Sequence, residues 1–152
     1  MNKLPKQSKK PCATCPFTDK CEPGETGGSP VEVYVGQTFG PFWVPCHERV
    51  DYSDPDWKVN YDTPQCVGHA IMRAKVGSAK LMPEPLLRVA PYEGDHVFDD
   101  MAAFWAYHKQ CSLEEARDVL TDEKIMELLL SEFRRAGVDY KDPQQVRNVN
   151  DE

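Results

Sequence analysis

Four cysteines in the first half of the chain have the spacing expected of ligands for one metal centre. Cys12 and Cys15 form a C-x-x-C pair, Cys46 directly precedes His47, and Cys66 stands further downstream. Cysteine thiolates are the ligands that structural zinc sites and iron–sulfur clusters have in common. The sequence therefore predicts a thiolate metal centre held by Cys12, Cys15, Cys46 and Cys66.

The distribution of these cysteines bears on the identity of the metal. Structural zinc usually takes two close pairs of ligands, because two short loops complete a tetrahedron at little cost in chain entropy. Here Cys46 and Cys66 stand singly, a spread typical of a cubane cluster whose thiolates are gathered by the folded domain. Pro16 after Cys15 also matches the Cys-Pro pairs of iron–sulfur proteins. We favour a 4Fe-4S cluster, and Zn²⁺ remains the alternative.

Three further residues are reserve candidates for the ligand set. Cys21 lies close enough to Cys15 in sequence to exchange into the site. His47 is adjacent to one predicted ligand, and His69 stands one helical turn after another. Imidazole nitrogen is a common zinc ligand, although His69 could equally hydrogen-bond a cluster sulfur or serve in packing.

The remaining histidines and cysteine have no further candidate metal ligands near them in the sequence. Cys111 stands at a predicted helix junction and is expected to be a small buried hydrophobic residue. No role is predicted for His96 or His108. The sequence contains none of three common motifs of enzymes, H-E-x-x-H, G-x-S-x-G and the nucleotide-binding G-x-G-x-x-G, so catalysis is not the favoured interpretation.

Length and composition favour a single domain. The chain has 152 residues, of which 40% are hydrophobic, and this is enough for one core without a metal supplying all the stability. No apolar run approaches the length of a membrane span, and no apolar stretch follows the charged N-terminus. We therefore expect a cytoplasmic protein, and in that compartment reduced cysteines favour metal binding over disulfides.

The net charge of −7 is unevenly distributed. Residues 1–11 contain four lysines and no acidic residue, whereas the chain from Leu81 onward has 8 basic and 16 acidic residues. Such an acidic surface repels nucleic-acid phosphates, so we expect a protein as the partner. The domain prediction is a flexible basic arm at 1–11, one metal-binding domain at 12–139 and a polar tail at 140–152.

The predicted fold class is α+β, with an irregular metal-bound N-terminal half and a helical C-terminal half. Residues 31–35 alternate as a half-buried strand would, and residues 38–44 form a possible second, proline-interrupted edge strand. Proline and glycine are frequent around these two segments, which predicts loops and short strands wrapped around the metal.

Four helices are predicted beyond residue 63. Pro64 can open the first helix, with Cys66 in its first turn and Gly77 at its end. The second covers residues 97–110. Ser112 begins a capping box for a helix to residue 120, and Thr121 or Asp122 caps the last, which runs to residue 136. Its apolar positions span a wide arc, so it is either buried or faces a partner.

The residues around the cysteines suggest a family. The segments Pro11-Cys12-Ala13-Thr14-Cys15-Pro16-Phe17, Pro45-Cys46-His47 and Gln65-Cys66-Val67-Gly68-His69 resemble a group of small cysteine-rich proteins of phages and prophages. The resemblance covers the first half of the chain and implies a shared metal-type core and a phage or host-defence setting. If the protein is phage-encoded, the expected location is the cytoplasm of the host cell. It leads us to expect a small accessory protein that binds a host or phage macromolecule. A metal-dependent enzyme of redox or nucleic-acid processing is the alternative.

Overall fold

The computed structural model describes residues 10–42, 44, 65–81 and 89–137. Within these residues the regular secondary structure consists of five α-helices and one short 3₁₀ helix at Ala79–Leu81. The α-helices, in chain order, are α1 (Val31–Thr38), α2 (Val67–Val76), α3 (Met101–Lys109), α4 (Leu113–Val119) and α5 (Asp122–Arg135).

The predicted α+β fold class is wrong, because the described part of the chain contains no β-strand. Its β-type pairing is limited to isolated bridge positions, among them an antiparallel bridge between Thr18 and Val97. The segment 31–35, predicted as a strand, lies in α1. Val31, Tyr34, Val35 and Thr38 are all buried, and their i, i+3, i+4, i+7 spacing is that of one helix face.

The second predicted strand, at 38–44, is also absent from the described residues. Thr38 is the last residue of α1, and residues 39–42 and 44 follow it without regular strand structure. A few β-branched and aromatic residues are therefore insufficient evidence for a strand, because strand propensity mainly reflects packing on a sheet, and the described residues form no sheet.

The capping signals in the C-terminal half are confirmed. The Ser112 hydroxyl accepts the Glu115 N–H at 3.0 Å, and the Thr121 hydroxyl accepts the Lys124 N–H at 3.1 Å. Gly77 ends α2 in the left-handed conformation, with φ of 84°. Such side-chain caps satisfy backbone N–H groups that lack a partner within the helix.

The helix predicted at 97–110 begins later than expected, at Met101. Asp100 is its N-cap, and the carboxylate accepts the Ala103 N–H at 2.8 Å. Val97 is instead paired with Thr18, and its N–H donates to the Asp95 carboxylate at 2.9 Å. The apolar residues before the cap thus belong to the connection that brings α3 against the N-terminal loop.

The helices pack chiefly in two pairs, α1 with α5 and α3 with α4. Gly36 allows the first pair to approach closely, because a Cβ atom there would overlap the Leu128 carbonyl and the Glu132 side chain. The buried Leu128 and Phe133 form the inner face of α5, whereas Met126 is 52% exposed. The predicted apolar arc is therefore only partly buried. None of the described helices is long and apolar enough to cross a membrane.

Phe17 lies at the centre of the core and joins the N-terminal loop to three helices. Its ring is fully buried and stacks on Phe104 of α3 with centroids 5.2 Å apart. Tyr34 of α1 meets it edge-on at 5.3 Å, and His69 of α2 lies at 4.8 Å. Because Phe17 follows Cys15 by two residues, this packing also fixes the position of the cysteine pair.

Arg73 connects the end of α1 to α2. Its guanidinium is buried and donates to the carbonyl oxygens of Gln37, Gly40, Phe42 and Ser78. Carbonyl groups at a helix C-terminus lack partners within the helix and favour a positive charge. Burial lowers the pKa of Arg73 to about 10, so it stays charged at neutral pH.

Candidate metal centre

The C-x-x-C pair lies in a turn that leads into the core. The Cys15 N–H donates to the Cys12 carbonyl at 3.2 Å, and the Thr18 N–H donates to the Cys15 carbonyl at 3.1 Å. Cys15 is fully buried, whereas Cys12 is half-buried. The exposed residues Ala13 and Thr14 form the outside of the turn. The local chain thus places one thiol in the interior and one at its edge.

Cys66 meets this turn from the start of α2. It is the N-cap residue, one position before the helix, and not within the first turn as predicted. Its N–H donates to the Val44 carbonyl at 2.8 Å, which fixes the entry into the helix. The Cys66 and Cys15 Sγ atoms lie 3.7 Å apart. Two of the four predicted ligands are therefore in direct contact across 51 residues of sequence.

The pKa values of the two contacting thiols are shifted in opposite directions. The Cys15 thiol lowers the pKa of Cys66, and the backbone N–H groups of His69 and Gly68 lower it further, while burial opposes them. The pKa of Cys15 is raised, first by Cys12, then by Cys66 and by burial. Cys66 is therefore the more acidic thiol of the pair. A bound cation would stabilise both as thiolates.

Gly68 provides the space in which Cys15 sits. A Cβ atom on Gly68 would overlap the Cys15 Sγ atom and press on the Phe17 side chain. Its backbone has no positive φ, so the requirement for glycine is steric. The C-x-G spacing from Cys66 to Gly68 therefore has a direct structural reason: glycine lets the start of α2 approach the second cysteine of the C-x-x-C pair.

The separation of the two sulfur atoms fits ligands of one tetrahedral ion. Two thiolates on the same zinc ion lie roughly 3.8 Å apart, since the Zn–S bond is about 2.3 Å long. In a cubane each cysteine binds a different iron, which holds the ligand sulfur atoms considerably further apart. The separation also exceeds the S–S bond of about 2.05 Å in a disulfide. A separation of 3.7 Å is thus compatible with two ligands of one ion, and it is also that of two thiols in hydrogen-bonded contact.

The described residues do not by themselves contain a complete ligand set. Within residues 10–42, 44, 65–81 and 89–137, no three His, Cys, Asp or Glu side chains are grouped as metal ligands would be. Cys12 adjoins Cys15 and raises its pKa. The predicted ligand Cys46 and the reserve candidate His47 lie outside the described residues.

The other two reserve candidates have contacts of their own. Cys21 is buried, where its thiol donates to the Thr18 carbonyl at 3.4 Å and lies 3.9 Å from His108 Nε2. The His69 ring is buried against Phe17, and its Nε2 lies 2.9 Å from the Thr38 hydroxyl. That hydroxyl donates to the Tyr34 carbonyl at 2.7 Å, so it accepts a hydrogen bond from His69 Nε2–H.

His108, for which the sequence predicts no role, fixes the loop around the C-x-x-C pair onto α3. Its Nε2–H donates to the Pro16 carbonyl at 2.7 Å, and Nδ1 accepts the Gly24 N–H at 3.0 Å. Burial lowers its pKa, which keeps the ring in this neutral form. The signal available in the sequence was its i, i+4 spacing from Phe104, which places a polar ring on the buried face of α3.

Comparison with known proteins supplies no relative. No protein-family model, no curated protein and no solved structure matches this chain. The function must therefore be argued from the geometry of the described residues and from the sequence.

Proposed function

We propose that the protein is a metal-thiolate binding module, in which the metal fixes a structural centre and the helical surface binds a protein of the phage or its host. The 3.7 Å contact between the Cys15 and Cys66 sulfur atoms is the observation that supports the centre. Cys12 and Cys46 supply the other two thiolates in this proposal. The phage setting follows from the sequence resemblance around the cysteines.

The sulfur spacing favours a single ion, with zinc first, over the 4Fe-4S cluster favoured by sequence spacing. Sequence separation measures the length of the intervening chain, whereas the distance between sulfur atoms is set by how the metal coordinates them. A tetrahedral ion can accept Cys15 and Cys66 at their present separation. A cubane would require the two sulfur atoms to move apart.

The burial of Cys15 supports a structural role over a catalytic one. Cys15 has no solvent exposure, and Phe17 and the start of α2 cover it. A catalytic zinc ion keeps one coordination position open to water or substrate, whereas a structural ion is enclosed by four protein ligands. A site whose central thiol is enclosed in the core stabilises the fold and does not reach substrates.

The surface offered for binding lies on α4 and the first half of α5. We call it the acidic helical surface, and it comprises the exposed side chains from Leu113 to Glu127. Three of the five large apolar side chains exposed among the described residues lie here: Leu113, Val119 and Met126. Six acidic residues and one basic residue, Arg117, are exposed on it. This combination suits a protein partner that presents basic and apolar side chains, since charge speeds encounter and apolar contact provides affinity.

Metal content tests the centre directly. We would purify the full chain without oxygen from cells grown without added zinc, and measure zinc, iron and acid-labile sulfide. We expect about one zinc per chain, and bound Co²⁺ should show thiolate-to-cobalt charge-transfer absorption. Cys66→Ser should lose the metal, whereas Cys111→Ser is the matched control and should retain it.

Three outcomes would contradict this assignment. Iron with equimolar sulfide would replace the single ion by a cluster. Metal retained in Cys66→Ser but lost in Cys21→Ser would show that the ligand set is wrong. A protein without metal, in which Cys15 and Cys66 are oxidised to a disulfide, would remove the metal centre altogether.

The binding function has its own test. We would capture proteins from infected host cells on the native chain and on two variants, each with three acidic residues neutralised. The test variant is Glu114→Gln, Asp118→Asn, Glu123→Gln on the acidic helical surface, and the control is Glu22→Gln, Glu25→Gln, Glu93→Gln. We expect a partner that the control retains and the test variant loses. A partner lost equally from both would contradict the proposed surface.

A further inference from the structure

A surface cleft of about 360 Å³ lies beside the cysteine turn. It forms where the start of the described chain meets the turn before α3, and its lining includes Lys10, Cys12, Lys20, Tyr92 and His96. The volume is in the range of small-molecule sites, which begin at about 300 Å³. The cleft has no part in the proposed metal centre beyond the half-buried Cys12 at its edge.

The cleft is lined by two lysines, although the protein as a whole has a net charge of −7. Residues 1–20 contain five lysines and one acidic residue, and two of those lysines, Lys10 and Lys20, line the cleft. Both are exposed, and neither amino group has an ion-pair partner among the described residues. Two lysines around one cleft attract an anion, and phosphate oxygens can accept hydrogen bonds from both.

The cleft lining also includes one acidic residue, Asp95, whose carboxylate already has partners. The Asp95 carboxylate accepts hydrogen bonds from the Tyr92 and Val97 N–H groups and lies 3.3 Å from Lys75 Nζ. Asp19 lies 3.4 Å from His96 Nδ1. The Asp95 carboxylate is thus occupied by two backbone N–H groups and by Lys75, which also lies 3.6 Å from Asp99, and it forms no ion pair with Lys10 or Lys20.

Tyr92 adds an apolar surface to this charge. Its side chain lines the cleft and is 43% exposed. Gly94, two residues later, has a positive φ of 88° in the tight turn that follows. An exposed aromatic ring next to lysines suits a ligand that has a flat ring and a phosphate group, because the ring stacks while the phosphate meets the amino groups. The acidic remainder of the chain disfavours a long polyanion, which would extend across negative surface.

We propose that this cleft binds a small phosphorylated ligand with an aromatic ring, of the size and chemistry of a nucleoside monophosphate. Lys10 and Lys20 contact the phosphate, and Tyr92 stacks on the ring. The cleft adjoins the proposed metal centre at Cys12, but the contacts proposed for the phosphate and the ring involve none of the four cysteine ligands.

Calorimetric titration with AMP, adenosine and inorganic phosphate tests the site. We expect AMP to bind more tightly than either of its parts, since it alone engages both the lysines and Tyr92. Lys20→Gln should weaken AMP binding roughly tenfold, the loss of one charged hydrogen bond. Lys124→Gln removes the same charge from a partly exposed lysine on α5, away from the cleft, and as the matched control it should leave the affinity unchanged.

Several results would overturn the proposal. AMP that does not bind at millimolar concentration would exclude the site. Adenosine binding as tightly as AMP would remove the role of the lysines, and phosphate alone binding as tightly as AMP would remove that of Tyr92. Equal weakening by Lys20→Gln and Lys124→Gln would show general charge attraction. Single-stranded RNA binding at least as tightly per site as AMP would replace the small ligand by a polymer.

Discussion

The loop at residues 10–30 and the helices α3 to α5 keep their structure in different ways. We call the former the cysteine loop; it contains no helix or strand beyond the bridge at Thr18. It is held by distant groups: His108 contacts Pro16 and Gly24, and the Tyr107 hydroxyl donates to the Cys21 carbonyl. The helices α4 and α5 instead begin at their own side-chain caps.

This difference shows why the cysteine loop suits a metal centre. A segment without internal hydrogen-bonded repeats depends on cross-links from elsewhere, and a metal between Cys15 and Cys66 adds one at the point where the loop meets α2. The C-terminal helices have less need of such a link. Substitutions in the loop should therefore have larger effects than cap substitutions in the helices.

The largest expected effect is that of Gly68→Ala, at the contact between α2 and the cysteine loop. Alanine normally stabilises a helix relative to glycine by about 1 kcal/mol. Here its Cβ would overlap the Cys15 Sγ atom, so we expect a net loss of about 3 kcal/mol and weaker Co²⁺ binding. Urea unfolding and cobalt titration measure both.

Gly28→Ala is the matched control for this substitution. Gly28 lies in the cysteine loop, and a Cβ atom there would meet no atom within 4 Å. Its stability should change by less than about 0.5 kcal/mol. If both variants were equally stable, the close approach of α2 to Cys15 would not be a constraint.

The next effect concerns His108, which joins the two regions. His108→Phe keeps a ring against Phe104 but leaves the Gly24 N–H and the Pro16 carbonyl without their partner. We expect a loss of about 2 kcal/mol of unfolding free energy. His108→Ala should cost more, because it also removes ring packing. A His108→Phe variant as stable as the native chain would show that these two hydrogen bonds do not hold the loop.

Acid should weaken the metal-free protein through its buried histidines. The folded-state pKa values of His69 and His108 are both lowered by burial, below the unfolded value of about 6.5. Below that pH the unfolded chain binds protons that the folded chain excludes, so stability falls as pH falls. The slope is at most about 1.4 kcal/mol per pH unit for each histidine.

Urea unfolding of the chelator-treated protein between pH 7.5 and 5.5 measures this slope. His108→Phe should show a shallower one, since one of the two buried histidines is gone. An unchanged slope in that variant would mean that His108 titrates equally in the folded and unfolded states.

The smallest effect is expected at the cap of α4. Ser112→Ala removes the hydroxyl that accepts the Glu115 N–H and should cost about 1 kcal/mol in thermal or urea unfolding. Ser112→Asp retains an acceptor and should preserve stability. A loss in Ser112→Ala larger than that in His108→Phe would reverse the order of dependence proposed for the two regions.

Local sequence signals predicted the C-terminal half well. Ser112, Thr121 and Gly77 mark helix ends because each acts on backbone groups within one turn of itself. The same reasoning failed for residues 31–35, whose valines and tyrosine satisfy both an alternating and a helical pattern over so short a length. In the structure this segment is helical, and Gly36 lets the helix pack closely against α5.

The sequence by itself determined the positions of the cysteines, the helix caps and the uneven charge, since these depend on residue type and nearest neighbours. The tertiary structure decided which thiols meet, because Cys15 and Cys66 are brought together by the burial of Phe17 and the small size of Gly68. It also decided the role of His108, whose partners are more than 80 residues away in the chain. Such contacts depend on the packing of the whole core, which no local pattern specifies.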